Sequence, residues 1–208
     1  MTRLYAGLAA AAVAAVIGSS VAWTWLRTPD DQFAMCREGV IAGGTAAIGG
    51  PFTLVSETGT TVTEADVITR PTLIYFGYTF CPDVCPLDAL RNADAADILA
   101  ERGEDVGLVF ISVDPGRDTP ERMAEFTDFM HPEMIGLTGT PEQVQAASRA
   151  YRTYYRQHDD DDEFYLVDHS TFTYLVFPQE GFVEFYRRET TPEQMADSVA
   201  CYITAARL

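Results

Sequence analysis

Two cysteines stand four residues apart in Gly77-Tyr78-Thr79-Phe80-Cys81-Pro82-Asp83-Val84-Cys85-Pro86. The segment follows an apolar run and opens a helical one. Thiolates, not thiols, bind metal and attack disulfides. A helix amino terminus favours negative charge, so Cys85 in particular is expected to ionise more readily than a free cysteine. Pro86 gives up no needed N–H at a helix start. Sulfurs at this spacing can converge on one atom or form a disulfide. Two soft ligands select a soft ion, with copper(I) and zinc the leading candidates.

Two ligands leave such a site incomplete, and the chain has three histidines. His131 precedes Pro132 at a helix end and reads as a capping or surface group. His158 opens the acidic run 159–163, a solvated loop or at most a weak hard-cation site. His169 lies in Leu166-Val167-Asp168-His169-Ser170, just before an apolar strand, where a loop can reach across a sheet's end. Imidazole suits copper as a third ligand. Spacing alone leaves His169 open between that role and a satisfied structural histidine.

The elements that must position these residues are visible in the apolar pattern. Leu73-Ile74-Tyr75-Phe76 and Leu108-Val109-Phe110-Ile111 are nearly all apolar, as central strands covered on both faces are. Shorter β-rich pieces lie at 52–56 and 60–63. A hairpin is expected at 171–177 and 182–187, closed by Pro178-Gln179-Glu180-Gly181. Three helices start alike, at Thr119-Pro120-Glu121, Thr140-Pro141-Glu142 and Thr191-Pro192-Glu193. Thr caps, Pro takes the first helical position and Glu meets the positive end of the dipole. A further helix is expected from about Pro86 to Arg102. This order predicts an α/β fold with a mixed central sheet flanked by helices, for which a thioredoxin-like fold is the natural candidate.

The 208 residues suit one ordinary domain plus an appendage. No charged residue occurs from Leu4 to Leu26, a stretch about 34 Å long as a helix. Trp23 and Trp25 sit near one end as interfacial anchors would. The segment reads as a single N-terminal transmembrane helix. The competing reading is a signal peptide cleaved after Ala22. Either exports residues 28 onward across the membrane. Residues 1–27 are therefore assigned to the anchor, 28–47 to a linker and 48–208 to the folded domain. The exported part carries 12 arginines and no lysine against 31 acids, a charge of −19. That balance argues against nucleic-acid binding and against docking on anionic lipid.

Two more cysteines remain. In the last helix Met195, Val199, Tyr202, Ile203 and Ala206 form an apolar stripe, and Cys201 falls about 240° from Met195, off it. A cysteine away from the core face in an oxidising compartment wants a partner. Cys36 in the linker is the only other spare, so a Cys36–Cys201 disulfide is predicted. The alternatives are two unpaired thiols, or thiols that exchange with Cys81 and Cys85.

The sequence resembles the Sco/SenC family of membrane-anchored copper chaperones. The matching pieces are Ile48-Gly49-Gly50-Pro51-Phe52, Tyr75-Phe76-Gly77-Tyr78-Thr79, Cys81-Pro82-Asp83-Val84-Cys85-Pro86, Ser112-Val113-Asp114-Pro115 with Arg117-Asp118-Thr119-Pro120, and Val167-Asp168-His169-Ser170. The resemblance implies a thioredoxin-like fold and one copper per chain, Cu(I) or Cu(II), held by Cys81, Cys85 and His169. It implies a role in maturing the binuclear copper centre of cytochrome c oxidase subunit II. Another copper chaperone or a thioredoxin-like reductant would be a second partner. The location implied is the inner membrane, single-pass, with the domain in the periplasm, or in the intermembrane space of a mitochondrion. Two acids adjoin the ligands. Asp83 is read as tuning thiolate charge or as a helix-start acid. Asp168 is read as orienting the imidazole or as a plain loop acid. A thiol–disulfide reductase that keeps the oxidase cysteines reduced is the competing function. Against it, three residues lie between the thiols where thioredoxin-type pairs have two, and the loop before Thr171–Phe177 has no Pro.

Overall fold

A computed structural model describes Tyr5, residues 13–20, 31–37, Gly39, 44–158 and 165–207. The chain divides into two compact units, Met1–Met35 and Cys36–Leu208. In the first, residues 13–20 are helical and exposed. Most of the expected membrane span, and part of the expected linker, lie outside the described residues. Among the described residues no helix is long and apolar enough to cross a membrane.

The second unit is a seven-stranded mixed sheet with helices packed against it. Its strands are β1 (Thr53–Ser56), β2 (Thr61–Thr63), β3 (Thr72–Gly77), β4 (Gly107–Ser112), β5 (Met134–Thr138), β8 (Thr173–Phe177) and β9 (Gly181–Tyr186), in the order β2-β1-β5-β4-β3-β8-β9. A separate two-stranded sheet pairs β6 (Tyr155–Gln157) with β7 (Val167–His169). The helices are α1 (Glu64–Val67), α2 (Val84–Glu101), α3 (Pro120–Met130), α4 (Pro141–Ala150) and α5 (Pro192–Ala206). Strands β3, β4 and β5 run parallel, while β8 pairs antiparallel with β3. Every residue of β3 and β4 is buried, as the apolar runs require. This is the thioredoxin-like α/β arrangement.

The helix starts form as their sequences predict. The hydroxyls of Thr119, Thr140 and Thr191 accept from the N–H groups of Arg122, Gln143 and Gln194. Helix α2 begins at Val84, two residues earlier than expected, so Cys85 lies within its first turn.

Strand β5 is the element the pattern does not reveal. Gly136 interrupts its apolar residues, yet the position requires glycine. A Cβ there would lie 2.8 Å from Glu57 Oε2 and 3.0 Å from Met123 Cβ. The Gly136 N–H instead donates to that carboxylate at 2.6 Å, and the Thr127 hydroxyl donates to the same oxygen. The small β6–β7 sheet is likewise silent in the pattern, because its strands are short and largely polar.

Cys36 and Cys201 are joined by a disulfide with Cα atoms 5.8 Å apart. The bridge closes a chain separation of 165 residues. It ties the residues before the first strand to α5, which packs on α2. A crosslink over so long a loop restricts the unfolded chain strongly. Replacing both cysteines by serine is expected to lower stability by about 2–4 kcal/mol, measured by urea unfolding, with m rising as the unfolded chain expands. A loss below about 1 kcal/mol would show that the bridge constrains little.

Candidate metal centre

Strand β3 ends at Gly77, and the chain turns through residues 78–83 into α2. The turn leaves no space at Gly77. A Cβ there would lie 2.8 Å from Phe110 Cζ, 2.9 Å from Tyr75 Cε1 and 3.0 Å from Cys85 Sγ. Glycine therefore lets the first turn of α2 rest on the sheet's carboxyl end. The loop is held from the side by Asp118. Its carboxylate accepts from the Thr79 N–H at 3.1 Å, the Thr79 hydroxyl at 2.6 Å and the Ser112 hydroxyl at 2.6 Å. Burial raises the Asp118 pKa, opposed by these hydrogen bonds.

The two sulfurs sit differently. Cys85 is fully buried. Its backbone N–H donates to Cys81 Sγ at 3.3 Å. Its own Sγ lies 3.2 Å from His169 Nε2. The ligand atoms of Cys81, Cys85 and His169 all lie within 4.8 Å of one another, the one such cluster among the described residues. The imidazole is oriented from its far side. His169 Nδ1 lies 3.0 Å from the Ser170 carbonyl oxygen, which can only accept, so Nδ1 carries the proton and Nε2 faces the thiols with its lone pair. Tyr75 and Tyr78 meet the ring edge-on, with centroids 6.1 and 5.8 Å away.

Electrostatics divide the pair, and here the sequence expectation is corrected. Cys81, not Cys85, is the readily ionised thiol. A hydrogen bond from the Cys85 thiol, with others from the backbone N–H groups of Asp83 and Cys85, holds Cys81 well below the usual thiol range, against the opposing effect of burial. Burial pushes Cys85 up, and the charge that develops on Cys81 pushes it further. The helix-terminal N–H groups do stabilise a thiolate, as expected, but Cys81 receives them. Burial also raises Tyr78, to about 12.

The other residues singled out in the sequence stand further from the sulfurs. The Asp83 carboxylate is exposed and makes no capping hydrogen bond; its contribution to Cys81 is its backbone N–H. Asp168 is exposed, and its Oδ1 lies 3.0 Å from His158 Nε2, while the His169 ring is held by the Ser170 carbonyl. His131 caps α3 and lies 3.2 Å from Asp97, away from the thiols. The acidic run 159–163 lies outside the described residues. Tyr75, Tyr78, Ser170 and Asp118 support the site without having been singled out in the sequence. All four lie in the family-matching segments quoted above, which gave none of them a role. Asp118 reads locally as the start of α3, and only its hydrogen bonds reveal it.

Two thiols, one already favouring its anion, and an imidazole with a free Nε2 lone pair make a three-donor set for a soft ion. The comparisons with known proteins agree. Residues 42–204 match the family SCO1/SenC. The chain belongs to this family. The SenC protein of Rhodobacter capsulatus is 60% identical over 197 residues, covering 95% of this chain and 89% of that protein. A copper-bound Arabidopsis thaliana ScoI structure is 43% identical with a TM-score of 0.72, covering 77% of this chain and 99% of that one. A copper-bound Bradyrhizobium japonicum ScoI structure is 36% identical with a TM-score of 0.68, covering 75% and 99%.

In this Sco/SenC chain the thiol asymmetry has a pH signature. A folded-state pKa below the unfolded value adds stability that is full above the unfolded thiol pKa of about 8.5 and is lost as pH falls towards the folded one. The contribution of Cys81 therefore declines on acidification. Cys85, raised, does the reverse and opposes folding at alkaline pH. At pH 6 to 7 iodoacetamide is expected to modify Cys81 first and leave Cys85 largely unmodified, as read by peptide mass spectrometry. Equal labelling of both would contradict the division.

Proposed function

We propose that this chain is a copper carrier that helps to assemble the binuclear copper centre of cytochrome c oxidase subunit II. The observation that carries the reading is the convergence of Cys81, Cys85 and His169 at one end of the sheet. Copper is the cargo. Cys81 arrives as a thiolate, Cys85 releases its proton as the metal binds, and His169 Nε2 completes the set. Three donors suit Cu(I), and Cu(II) would add oxygen or nitrogen ligands. A coordination position left open admits an acceptor thiolate or imidazole, so the ion passes by ligand exchange. Oxidation of Cys81 and Cys85 to a disulfide removes two ligands and unloads the site.

The uncharged stretch from Leu4 to Leu26 supports a single membrane anchor, and the disulfide supports an oxidising compartment. We accordingly place the domain on the outer side of an inner membrane, in the periplasm or its mitochondrial counterpart. Asp83 and Asp168, both exposed beside the ligands, would then bear on an approaching partner rather than on the metal.

One observation favours a second reading. A thiol held low beside a buried thiol held high is the arrangement of a dithiol reductant: the first attacks a disulfide and the second resolves the mixed disulfide. His169 is dispensable to that chemistry. Titration of the reduced protein with Cu(I) against a competing chelator separates the two. One copper per chain is expected, with His169→Ala and Cys85→Ser each lowering affinity at least about tenfold. If His169→Ala binds as wild type does, the three-donor site is wrong, and the thiols should be assayed against the cysteines of an oxidase copper domain.

A further inference from the structure

The metal ligands come from two chain segments that share no backbone pairing. Cys81 and Cys85 stand on the turn between β3 and α2. His169 stands on β7, in the small sheet outside the main one. Something must hold the second segment to the first with the imidazole facing the sulfurs. Tyr78 does part of this, its hydroxyl accepting from the Val167 N–H, and a second side chain that spans them is Arg117, on the loop between β4 and α3.

Arg117 lies with its guanidinium carbon 3.6 Å from the centre of the Tyr165 ring. On the cysteine turn it faces Phe80 at 4.8 Å and Tyr78 at 5.7 Å. Tyr165 leads into β7, four residues before His169. Phe80 immediately precedes Cys81. The guanidinium therefore touches aromatic faces from both ligand-bearing segments. It is fixed in turn by Asp114: Arg117 Nε donates to Asp114 Oδ2, and the Tyr165 hydroxyl donates to Asp114 Oδ1 at 2.6 Å. Asp114 is buried at the exit of β4, where its N–H donates to the Ser112 hydroxyl at 2.9 Å. That hydroxyl donates to Asp118, the carboxylate that holds Thr79. Arg117 Nη2 is buried without a hydrogen-bond acceptor. A buried donor without an acceptor is costly unless π faces receive it, and here three rings surround the group.

We infer that Arg117, clamped by Asp114, is the positioning residue that holds the His169 segment against the cysteine turn and so sets whether the site offers two ligands or three. This inference rests on the copper-carrier reading. Lysine cannot replace arginine in this role, because an ammonium has neither the plane that stacks on Tyr165 nor the fork that reaches Asp114 at the same time. The role is narrower than a structural one. It acts through His169, so its effect on copper must vanish when His169 is absent.

The test is a double-mutant cycle on the full chain with Cys81 and Cys85 reduced. Arg117→Lys and Tyr165→Leu are each made with and without His169→Ala. Cu(I) affinity is read by chelator competition, and the donors at the copper by X-ray absorption. With His169 present, each variant is expected to lose about tenfold in affinity, with fewer nitrogen donors and unchanged sulfur. In the His169→Ala background the same changes are expected to cost less than about twofold. Equal losses in both backgrounds, or unchanged affinity and nitrogen content in folded Tyr165→Leu, would overturn the inference. Circular dichroism confirms folding, and Tyr165→Leu decides if Arg117→Lys does not fold. Wild-type protein that binds copper with no nitrogen donor would sink the three-donor site itself, and the wild-type arm alone reports that failure.

Discussion

The close packing at the end of β3 is the constraint on which the site depends. Gly77 lets Cys85 Sγ approach the strand to a distance no side chain would allow, with Phe110 and Tyr75 filling the remaining space. Cys85 is thereby buried, and burial disfavours its thiolate. The turn before it is pinned by the Asp118 carboxylate, so Cys81 cannot move away to relieve the crowding. With Cys85 kept protonated in the metal-free protein, its thiol becomes a donor to its neighbour. Cys81 collects that hydrogen bond together with the helix-terminal N–H groups. One close approach thus determines which sulfur is anionic, which is neutral and where the imidazole must arrive.

This division suits a carrier. Two thiolates held together in a dry site would repel each other before a metal arrived. A single thiolate beside a thiol costs less, and it offers the incoming cation one ready ligand. The second ligand is released by the metal's own charge, which favours loss of the Cys85 proton. The same poise makes the pair susceptible to oxidation, because the reactive sulfur already has its resolving partner beside it. On the two readings proposed for this chain, copper loading and thiol redox chemistry would be two uses of one electrostatic arrangement, with His169 separating them.

Local chemistry and the burial of the central strands were legible in the sequence, and the packing around individual side chains was not. The cysteine turn, the Thr-Pro-Glu helix starts and the two central strands each declare themselves within ten residues. The pairing of Cys36 with Cys201 came from helical phase and from the absence of another partner. His169 was different. Its neighbours in sequence say nothing of Cys85, which lies 84 residues earlier, and only the family resemblance gave it a ligand role. The expectation for Cys85 failed for the same reason. The helix dipole is visible in a sequence, but the packing of Phe110 and Tyr75 around the sulfur is not. Strand β5 was hidden because Gly136, needed beside Glu57 and Met123, breaks the apolar run that would have revealed it.

The two segments that carry the proposed ligands are supported unequally. The cysteines stand between a buried strand and a long helix, where displacement would break the core. His169 stands on a three-residue strand outside the main sheet, held by the Ser170–Tyr154 hydrogen bonds, the Tyr78 hydroxyl and the ring contacts of Tyr75 and Tyr78. A metal carrier needs this inequality. Ligands of equal rigidity would hold the ion until all three let go together. A firm pair with one weakly supported ligand can pass from three donors to two while keeping the metal, and an acceptor ligand can enter at that stage. The sequence concentrates its apolar residues under the cysteines and spends polar and aromatic side chains on the histidine. In the proposed carrier, that distribution would place the yielding contact at the one ligand whose departure leaves the ion still bound.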